Sequence, residues 1–435
     1  MKYRFVISLL IFTFSLLCAS AQGGKVLNRH VEALSDTTLK GRAAGSEGEA
    51  SAASYFYNYL KENGVEMLTD QQGDVFTIML GDTLVSRNIV GIVEGCDPVL
   101  RNQYIVVAAN LDHLGVNFLN VNGEKREQVF RGANDNASGL AVVMELAKEV
   151  AATSYMFRRS VIFAAFGSKE EGMAGSWYFL NKSFGHQENI SLMVNVLSAG
   201  FTGPDNKFSS YIPIPSKQIS SMASALRDRG GLFYPTYYTG VPDISSDYLA
   251  FYEKNIPSVI FTSGRDLYSR SVNDIPSNLD YESMEYMTDY IYSFVLEAAN
   301  SEEMAGRPDR RDKDDNDKEN NEPADRIYSP FDVDTPPTFF KGDESRFLTD
   351  WVYKYLRYPD YSLSQGIQGT VKIEFIIEKD GTLSNVRVLS APADDLENEA
   401  VRVVSASPKW KAGVLAGKKV RVRYTLPIEF RLKKK

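Results

Sequence analysis

Tyr104-Ile-Val-Val-Ala-Ala109-Asn-Leu-Asp-His113 is the stretch on which the fold turns. Its first six residues form a continuous apolar run with no polar alternation. A strand with one face in water alternates, so this one reads as covered on both faces, like the interior strands of a mostly parallel sheet. Val161-Ile-Phe-Ala-Ala-Phe166 repeats the pattern, and Leu192–Leu197 and Pro257–Phe261 read as further strands. Between them Leu140, Val143, Leu146, Ala147 and Val150 recur at helical spacing. Ser46 followed by Glu49 reads as a capping box opening an earlier helix. Alternating strands and helices predict an α/β domain of three layers, α/β/α, around a mostly parallel central sheet. Sites in such sheets form at the carboxyl ends of strands. Asn110-Leu-Asp112-His113 and Glu170-Glu171 each follow a strand, so both fall on the functional edge.

Working outward, 435 residues suggest two or three domains. The chain opens with Lys2 and Arg4, an apolar run from Phe5 to Leu17, then Ala19-Ser20-Ala21. That pattern predicts a secretory signal peptide over residues 1–21. Its 13-residue core is too short to cross about 30 Å of hydrocarbon at about 1.5 Å per residue. No later segment reads as a membrane helix, so the mature chain is expected to be secreted and periplasmic, without a membrane span. A net charge of −8 excludes a globally basic nucleic-acid binder. Two cysteines, one of them in the leader, exclude a disulfide framework. Only three histidines are present, too few for several zinc sites.

Residues 22–300 are read as the large domain. Ser301 to Arg326 holds ten acids, six bases and almost no apolar side chain, so residues 301–338 are expected to be a solvated linker. A small α+β domain is expected over residues 339–435. Phe347–Leu356 has helical periodicity and stops before Tyr358-Pro359. Gly369–Glu378, Asp380-Gly381 and Leu383–Leu389 read as a β-hairpin. A helix over Asp394–Ser405 and a strand over Arg421–Phe430 follow. From Lys341 onward the net charge is +6, against −8 for the residues before the linker.

Four motifs now carry a resemblance: Leu39-Lys-Gly-Arg-Ala-Ala-Gly-Ser-Glu-Gly-Glu49, Ala109-Asn-Leu-Asp-His-Leu-Gly115, Gly132-Ala-Asn-Asp-Asn-Ala-Ser-Gly139 and Glu170-Glu-Gly-Met-Ala-Gly-Ser176. With Ser246-Asp247 and Asn255–Val259 they resemble the di-zinc exopeptidases, the M-28 peptidase group that includes bacterial leucine aminopeptidases. The resemblance spans roughly residues 26–299. It implies two zinc ions held by imidazole and carboxylate ligands, with a separate Glu moving the proton. Carried over position by position, it places Asn110 where the first ligand His would stand, with its orienting Asp retained as Asp112. The bridging carboxylate falls on Asp135, the general base on Glu170 and the next ligand on Glu171. A further Asp position falls on Leu197, and the last His position on Ser269 or Arg270. Three of the five ligands, including both imidazoles, are therefore replaced.

The other histidines do not restore them. His113 is one residue out of phase with Asp112 on an extended segment and is expected to point elsewhere. His30 lies near the mature start, and His186 precedes a strand. Zinc is not expected to be retained. Asp135 and Glu171 are read either as a hydrogen-bonding scaffold or, with Asn110 and Ser269, as weak oxygen donors for Ca²⁺ or Mg²⁺. A sharper expectation is that Lys169 or Arg270 supplies positive charge where the metals would have neutralised the carboxylates. Cations farther than about 8 Å from Asp135 and Glu171 would exclude it.

In the small domain Tyr358-Pro359, Gly366–Val371, Asp380-Gly381, Glu399-Ala400, Pro408-Lys-Trp410 and Pro427–Phe430 resemble the TonB carboxy-terminal domain over residues 340–432. That family couples inner-membrane energy to outer-membrane transporters by pairing with their plug segments. The resemblance implies partners such as an outer-membrane transporter segment, reached by edge-strand pairing, or cell-wall polymer on the basic surface. The combined expectation is an exported aminopeptidase-like protein, catalytically impaired, that binds a peptide or envelope protein. The alternative is an active metal-dependent exopeptidase.

Overall fold

The protein is described from a computed structural model, over residues 24–80, 82–121, 124–201, 208–214, 216–228, 235–240, 242, 244–264, 268–302, 327–328, 330, 333–339 and 344–432. The expected leader at 1–21 and the charged run of the expected linker lie outside these residues. The chain divides into two compact units, Met1–Gly115 with Phe130–Asp309, and Val116–Val129 with Arg310–Lys435.

In the first unit the strands are β1 (Glu66–Met67), β2 (Asp74–Leu80), β3 (Asp82–Val93) and β4 (Tyr104–Asn110). A hairpin of β5 (Gly115–Val121) and β6 (Glu124–Phe130) intervenes and groups with the second unit. Then come β7 (Ser160–Phe166), β8 (Ile190–Leu197), β9 (Ser209–Ile212), β10 (Thr236–Thr239) and β11 (Ser258–Thr262). The sheet runs β1-β3-β7-β4-β8-β11-β9-β10, with β2 also paired to β3. Its centre, β7-β4-β8-β11, is parallel, as the apolar runs predict. Both flanks turn antiparallel, at β3 against β7 and at β9 against β11, so the sheet as a whole is mixed.

Alternate residues of the central strands feed two separate apolar layers. Ile105, Val107 and Ala109 join Leu140, Met144 and Phe294 in one. Val106 and Ala108 join Phe166, Phe179 and Phe251 in the other. Each fully buried Val, Leu or Phe contributes about 1.5–3 kcal/mol, which is why both faces stay covered. The first layer is roofed by α1 (24–34), α2 (Glu47–Glu62), α3 (Gly139–Ala152) and α7 (Tyr281–Asn300); α4 (Ala174–Tyr178) and α6 (Tyr248–Glu253) lie against the second, and α5 (Lys217–Asp228) packs on α7. Ser46 does cap α2, accepting from the Glu49 amide at 3.1 Å. The reciprocal bond differs from the expected box. The buried Glu49 carboxylate accepts from the Gly45 amide at 2.8 Å and from the Ser86 hydroxyl at 2.6 Å, tying the helix start to β3.

The second unit has a sheet of order β12-β16-β13-β14, with β15 on β16. Its strands are β12 (Ile327–Tyr328), β13 (Gly369–Ile377), β14 (Leu383–Ser390), β15 (Gly413–Leu415) and β16 (Lys418–Phe430). Residues 344–355 are helical, followed by α9 (Asp360–Gln365) and α10 (Asp394–Ser405), the 344–355 helix counting as α8. Phe339, Phe347, Phe375 and Trp410 form the aromatic centre of its core. The linker reading needs a correction at its end. Tyr328 is buried in this core and β12 pairs with β16, because Ile327–Phe339 regains apolar side chains that the charged run lacks. In the hairpin turn Gly381 has φ of +85°, and a Cβ there would lie 1.9 Å from the Trp410 carbonyl oxygen, so no other residue fits.

Candidate functional site

β4 and β7 lie side by side in parallel, with Asn110 opposite Phe166. Their carboxyl ends therefore release the 110–115 and 167–171 segments next to one another. Asp112 joins the two. Its carboxylate accepts the Lys169 amide at 2.8 Å and the Glu170 amide at 3.0 Å. Burial first, then the charges of Glu170 and Glu49, push its carboxyl well above the ordinary range. Asp112 thus positions the Glu170 loop rather than orienting an imidazole.

Asn110 has become part of the scaffold. Its amide donates to the Asp112 carbonyl at 2.9 Å and accepts from Asn136 at 2.9 Å. Asn136 in turn donates to the Val196 carbonyl and accepts from the Ser198 amide. Leu197 lies in a small apolar cluster with Tyr248 and Ile260, so this position delivers hydrocarbon. The loop carrying Asp135 is held by Asp274, whose carboxylate accepts the Asn134 amide at 2.6 Å and the Asp135 amide at 3.1 Å.

At the centre Asp135 and Glu170 are buried carboxylates, and two cations occupy the space between them. Lys169 Nζ stands 3.0 Å from Asp135 Oδ1 and 3.2 Å from Glu170 Oε1. Arg270 grips Glu170 with both nitrogens, at 3.1 and 2.6 Å, and reaches 3.5 Å from Asp135 Oδ2. Arg270, one of the two candidate positions, is thus placed on the carboxylates. The expectation named Asp135 and Glu171; both cations reach Asp135, and the second carboxylate they pair with is Glu170 rather than Glu171. Burial would raise Asp135, but the surrounding charges, led by Lys169, hold it at about 2. Burial likewise opposes ionisation of Glu170, and Arg270 and Lys169 hold it well below the ordinary range. Burial lowers Lys169, yet Asp135 and Glu170 outweigh it and raise the ammonium.

His113 departs from its expected direction. β4 ends at Asn110, so strand alternation no longer governs position 113, whose amide donates to the Arg42 carbonyl at 3.0 Å; the fully buried imidazole faces the carboxylates, with Nδ1 4.0 Å from Asp135 Oδ2. Gly132 makes this seat possible: it has φ of +60°, and a Cβ there would sit 2.4 Å from the imidazole Cδ2. Burial lowers the ring to about 3, so it is neutral near pH 7. Neither ring nitrogen has a hydrogen-bond partner among the described residues. Ligand atoms of His113, Asp135 and Glu170 lie within 4.8 Å of one another. Glu171, expected as a ligand, is only half-buried and does not join that group, because the turn after Glu170 carries it toward solvent.

Two supporting residues were not singled out from the sequence. One is Asp274. The other is Arg42, inside the quoted Gly-Arg motif, which is fully buried and donates to the carbonyls of Leu34, Leu111, Arg131 and Gly132. Burial lowers its guanidinium to about 10, against the charges of Asp274, Asp112 and Asp135. A Gly-Arg pair ahead of a capped helix is a faint signal, since its acceptors are backbone atoms supplied by other segments.

Residues 88–295 match the model of peptidase family M28, and residues 354–432 that of the Gram-negative bacterial TonB protein C-terminal region. The chain carries an M28 domain and a TonB C-terminal domain. Leucine aminopeptidase 2 of Trichophyton rubrum is 26% identical over 186 residues, 40% of this chain and 35% of that protein. Aminopeptidase YwaD of Bacillus subtilis is 22% identical over 251 residues, 56% of this chain and 51% of its own length. The chain thus spans little more than a third of the fungal aminopeptidases, with 35% and 37% covered. Among solved structures, LapB from Legionella pneumophila aligns with a TM-score of 0.52 at 18% identity, covering 64% of this chain and 72% of that one. BSAP, a zinc aminopeptidase from Bacillus subtilis, aligns at 0.51 with 14% identity, covering 65% and 97%. These likenesses establish the M28-type α/β fold.

The donor set of the M28 domain does not fit a pair of zinc ions. Two carboxylates and one imidazole converge, and both carboxylates are already charge-paired with Lys169 and Arg270. A two-zinc centre needs more ligands and a net negative shell.

Proposed function

We propose that this is an exported envelope protein whose M28 domain binds a peptide or protein without hydrolysing it, joined to a TonB-like interaction module. The observation that carries the reading is the engagement of Asp135 and Glu170 by Lys169 and Arg270, and it accords with the ligand positions that the resemblance places on Asn110, Leu197 and Ser269 or Arg270. Without a metal-bound water, a general base contributes roughly 10²–10⁴-fold, far short of what peptide hydrolysis requires. Glu170, fixed in a bidentate ion pair, is a poor base even for that.

Export rests on the leader pattern at residues 1–21, and among the described residues no helix is long and apolar enough to cross a membrane. In the TonB-like domain β14 ends the sheet order, and its outer edge has no strand partner among the described residues. Pairing of an extended segment of an outer-membrane transporter or other envelope protein with such an edge is the interaction this module supports, with cell-wall polymer on its basic surface as the other candidate.

The second reading, an active exopeptidase, is favoured by the convergence of His113 with Asp135 and Glu170 and by the aminopeptidase relatives. One experiment separates the two. The purified chain is assayed for zinc by plasma emission and for aminoacyl-anilide hydrolysis, with and without chelator. The binding reading expects less than one zinc per chain and no turnover. Stoichiometric zinc with chelator-sensitive turnover would establish the peptidase instead.

A further inference from the structure

We infer that His113, Asp135 and Glu170 form a latent site for one transition-metal ion, held closed by the ammonium of Lys169. The inference rests on the reading above, that the native domain is metal-free, and adds what keeps it so.

Three observations converge on it. First, ligand atoms of the three residues already lie within 4.8 Å of one another, and all three side chains are buried. A modest closure brings them round one ion. Three protein ligands with a water in the fourth position is the count of an open tetrahedral site, and nitrogen with two oxygens suits zinc.

Second, the His113 imidazole is fully buried with both nitrogens unpartnered among the described residues, although buried polar groups are nearly always hydrogen-bonded. The missing Cβ of Gly132 leaves the ring its room. This is not the ligand set the M28 resemblance supplies. That set places its first imidazole at position 110 and assigns Glu170 to proton transfer, so the latent site is a different arrangement of the same pocket.

Third, the charges explain why the site is closed. Asp135 and Glu170 carry two negative charges, and Lys169 and Arg270 carry two positive ones. These four charges cancel, so an incoming dication meets two like charges beside its ligands. Lys169 is the obstacle that sits between the ligands, because its single Nζ lies 3.0 Å from one carboxylate and 3.2 Å from the other. Removing that one charge leaves a net negative shell around three convergent ligands.

The test compares the full-length chain with Lys169→Met, which keeps the length and apolar stem of the side chain while deleting its charge. Zinc is titrated against a chromophoric chelator and thermal unfolding is followed with and without zinc. Expected are no stoichiometric zinc on the native chain, one zinc per chain on Lys169→Met with affinity at least about tenfold tighter, and a zinc-dependent rise in its melting temperature. Adding His113→Gln should remove the gain. Zinc already bound to the native chain would overturn the proposed function. Absence of any gain in Lys169→Met would overturn this inference alone, and a gain that survives His113→Gln would overturn the part played by the imidazole. Should Lys169→Met fail to fold, Arg270→Gln lowers the same positive charge and is read by the same titration.

Discussion

Replacing Arg270 with Gln removes the bidentate partner of Glu170 and half of the positive charge in the pocket. The Glu170 side chain is 3% exposed and that of Arg270 18%, so solvent does little to screen the pair. Two unit charges at about 4 Å with an effective dielectric near 20 attract by about 4 kcal/mol. Breaking a buried pair by deleting one partner costs roughly 3–5 kcal/mol. Lys169 remains 3.2 Å from Glu170, so the low end applies, a loss of about 3 kcal/mol for the M28 unit at neutral pH. At roughly 2–4 °C per kcal/mol for a domain of this size, its calorimetric transition should fall by about 6–12 °C.

The pH dependence supplies a second constraint. Glu170 has a folded-state pKa below its unfolded value, so the stability it contributes is present above the unfolded carboxylate pKa and is lost as pH falls through the folded one. The gap between native chain and Arg270→Gln should therefore be full near pH 7, begin to narrow below the ordinary carboxylate value near about 4, and close only as pH falls through the lower folded-state value. Denaturant titrations near pH 7 and in steps below about pH 4 measure it. A gap below about 1 kcal/mol at neutral pH, the size of a surface pair, would refute the reasoning. So would a gap that does not narrow in acid. The double variant Arg270→Gln with Glu170→Gln should recover most of the loss, because no unpaired buried charge then remains.

Gly132→Ala should destabilise the M28 unit by at least about 2 kcal/mol, since a Cβ would meet the His113 ring and φ is positive there; His113→Ala in the same chain should relieve the clash, as read by denaturant midpoints. Glu49 is pushed up to about 7, mainly by burial. Its folded pKa is raised, so deprotonation costs stability as pH rises from the unfolded value through 7, and Glu49→Gln should be the more stable form near pH 8 but lose that advantage near pH 4. In the TonB-like unit Gly381→Ala should lower that unit's calorimetric transition and leave the M28 transition in place, because the new Cβ collides with the Trp410 carbonyl within the same core.

The parallel centre of the sheet was legible because burial on both faces leaves no alternation, and β4 and β7 are written that way. The α3 face was legible from its spacing, and the α2 cap from Ser46. The flanks were not. The register of β3 against β7 and the grouping of the polar β5–β6 hairpin with the second unit depend on contacts between distant segments, for which these stretches carry no local signal.

At the site, the resemblance together with residue identity set the expectation of what is missing. Asn110, Leu197 and Ser269 or Arg270, at the positions it assigns to ligands, carry neither an imidazole nor an acidic oxygen. What stands there instead was a matter for the tertiary structure. His113 reads as out of phase on an extended strand, but the strand ends at Asn110, and the absent Cβ of Gly132 lets the ring face inward. Asp112 reads as an orienting acid and proves to be the clamp on the Glu170 loop. Arg270 is 135 positions from Asp135 along the chain, yet it completes the neutralisation of the pocket. Chain composition fixes which charges and donors exist. Which of them come within 4 Å in a low-dielectric interior, and hence which pKa values move and which ion can enter, is decided only when the fold brings loops from separate strands to one edge of the sheet.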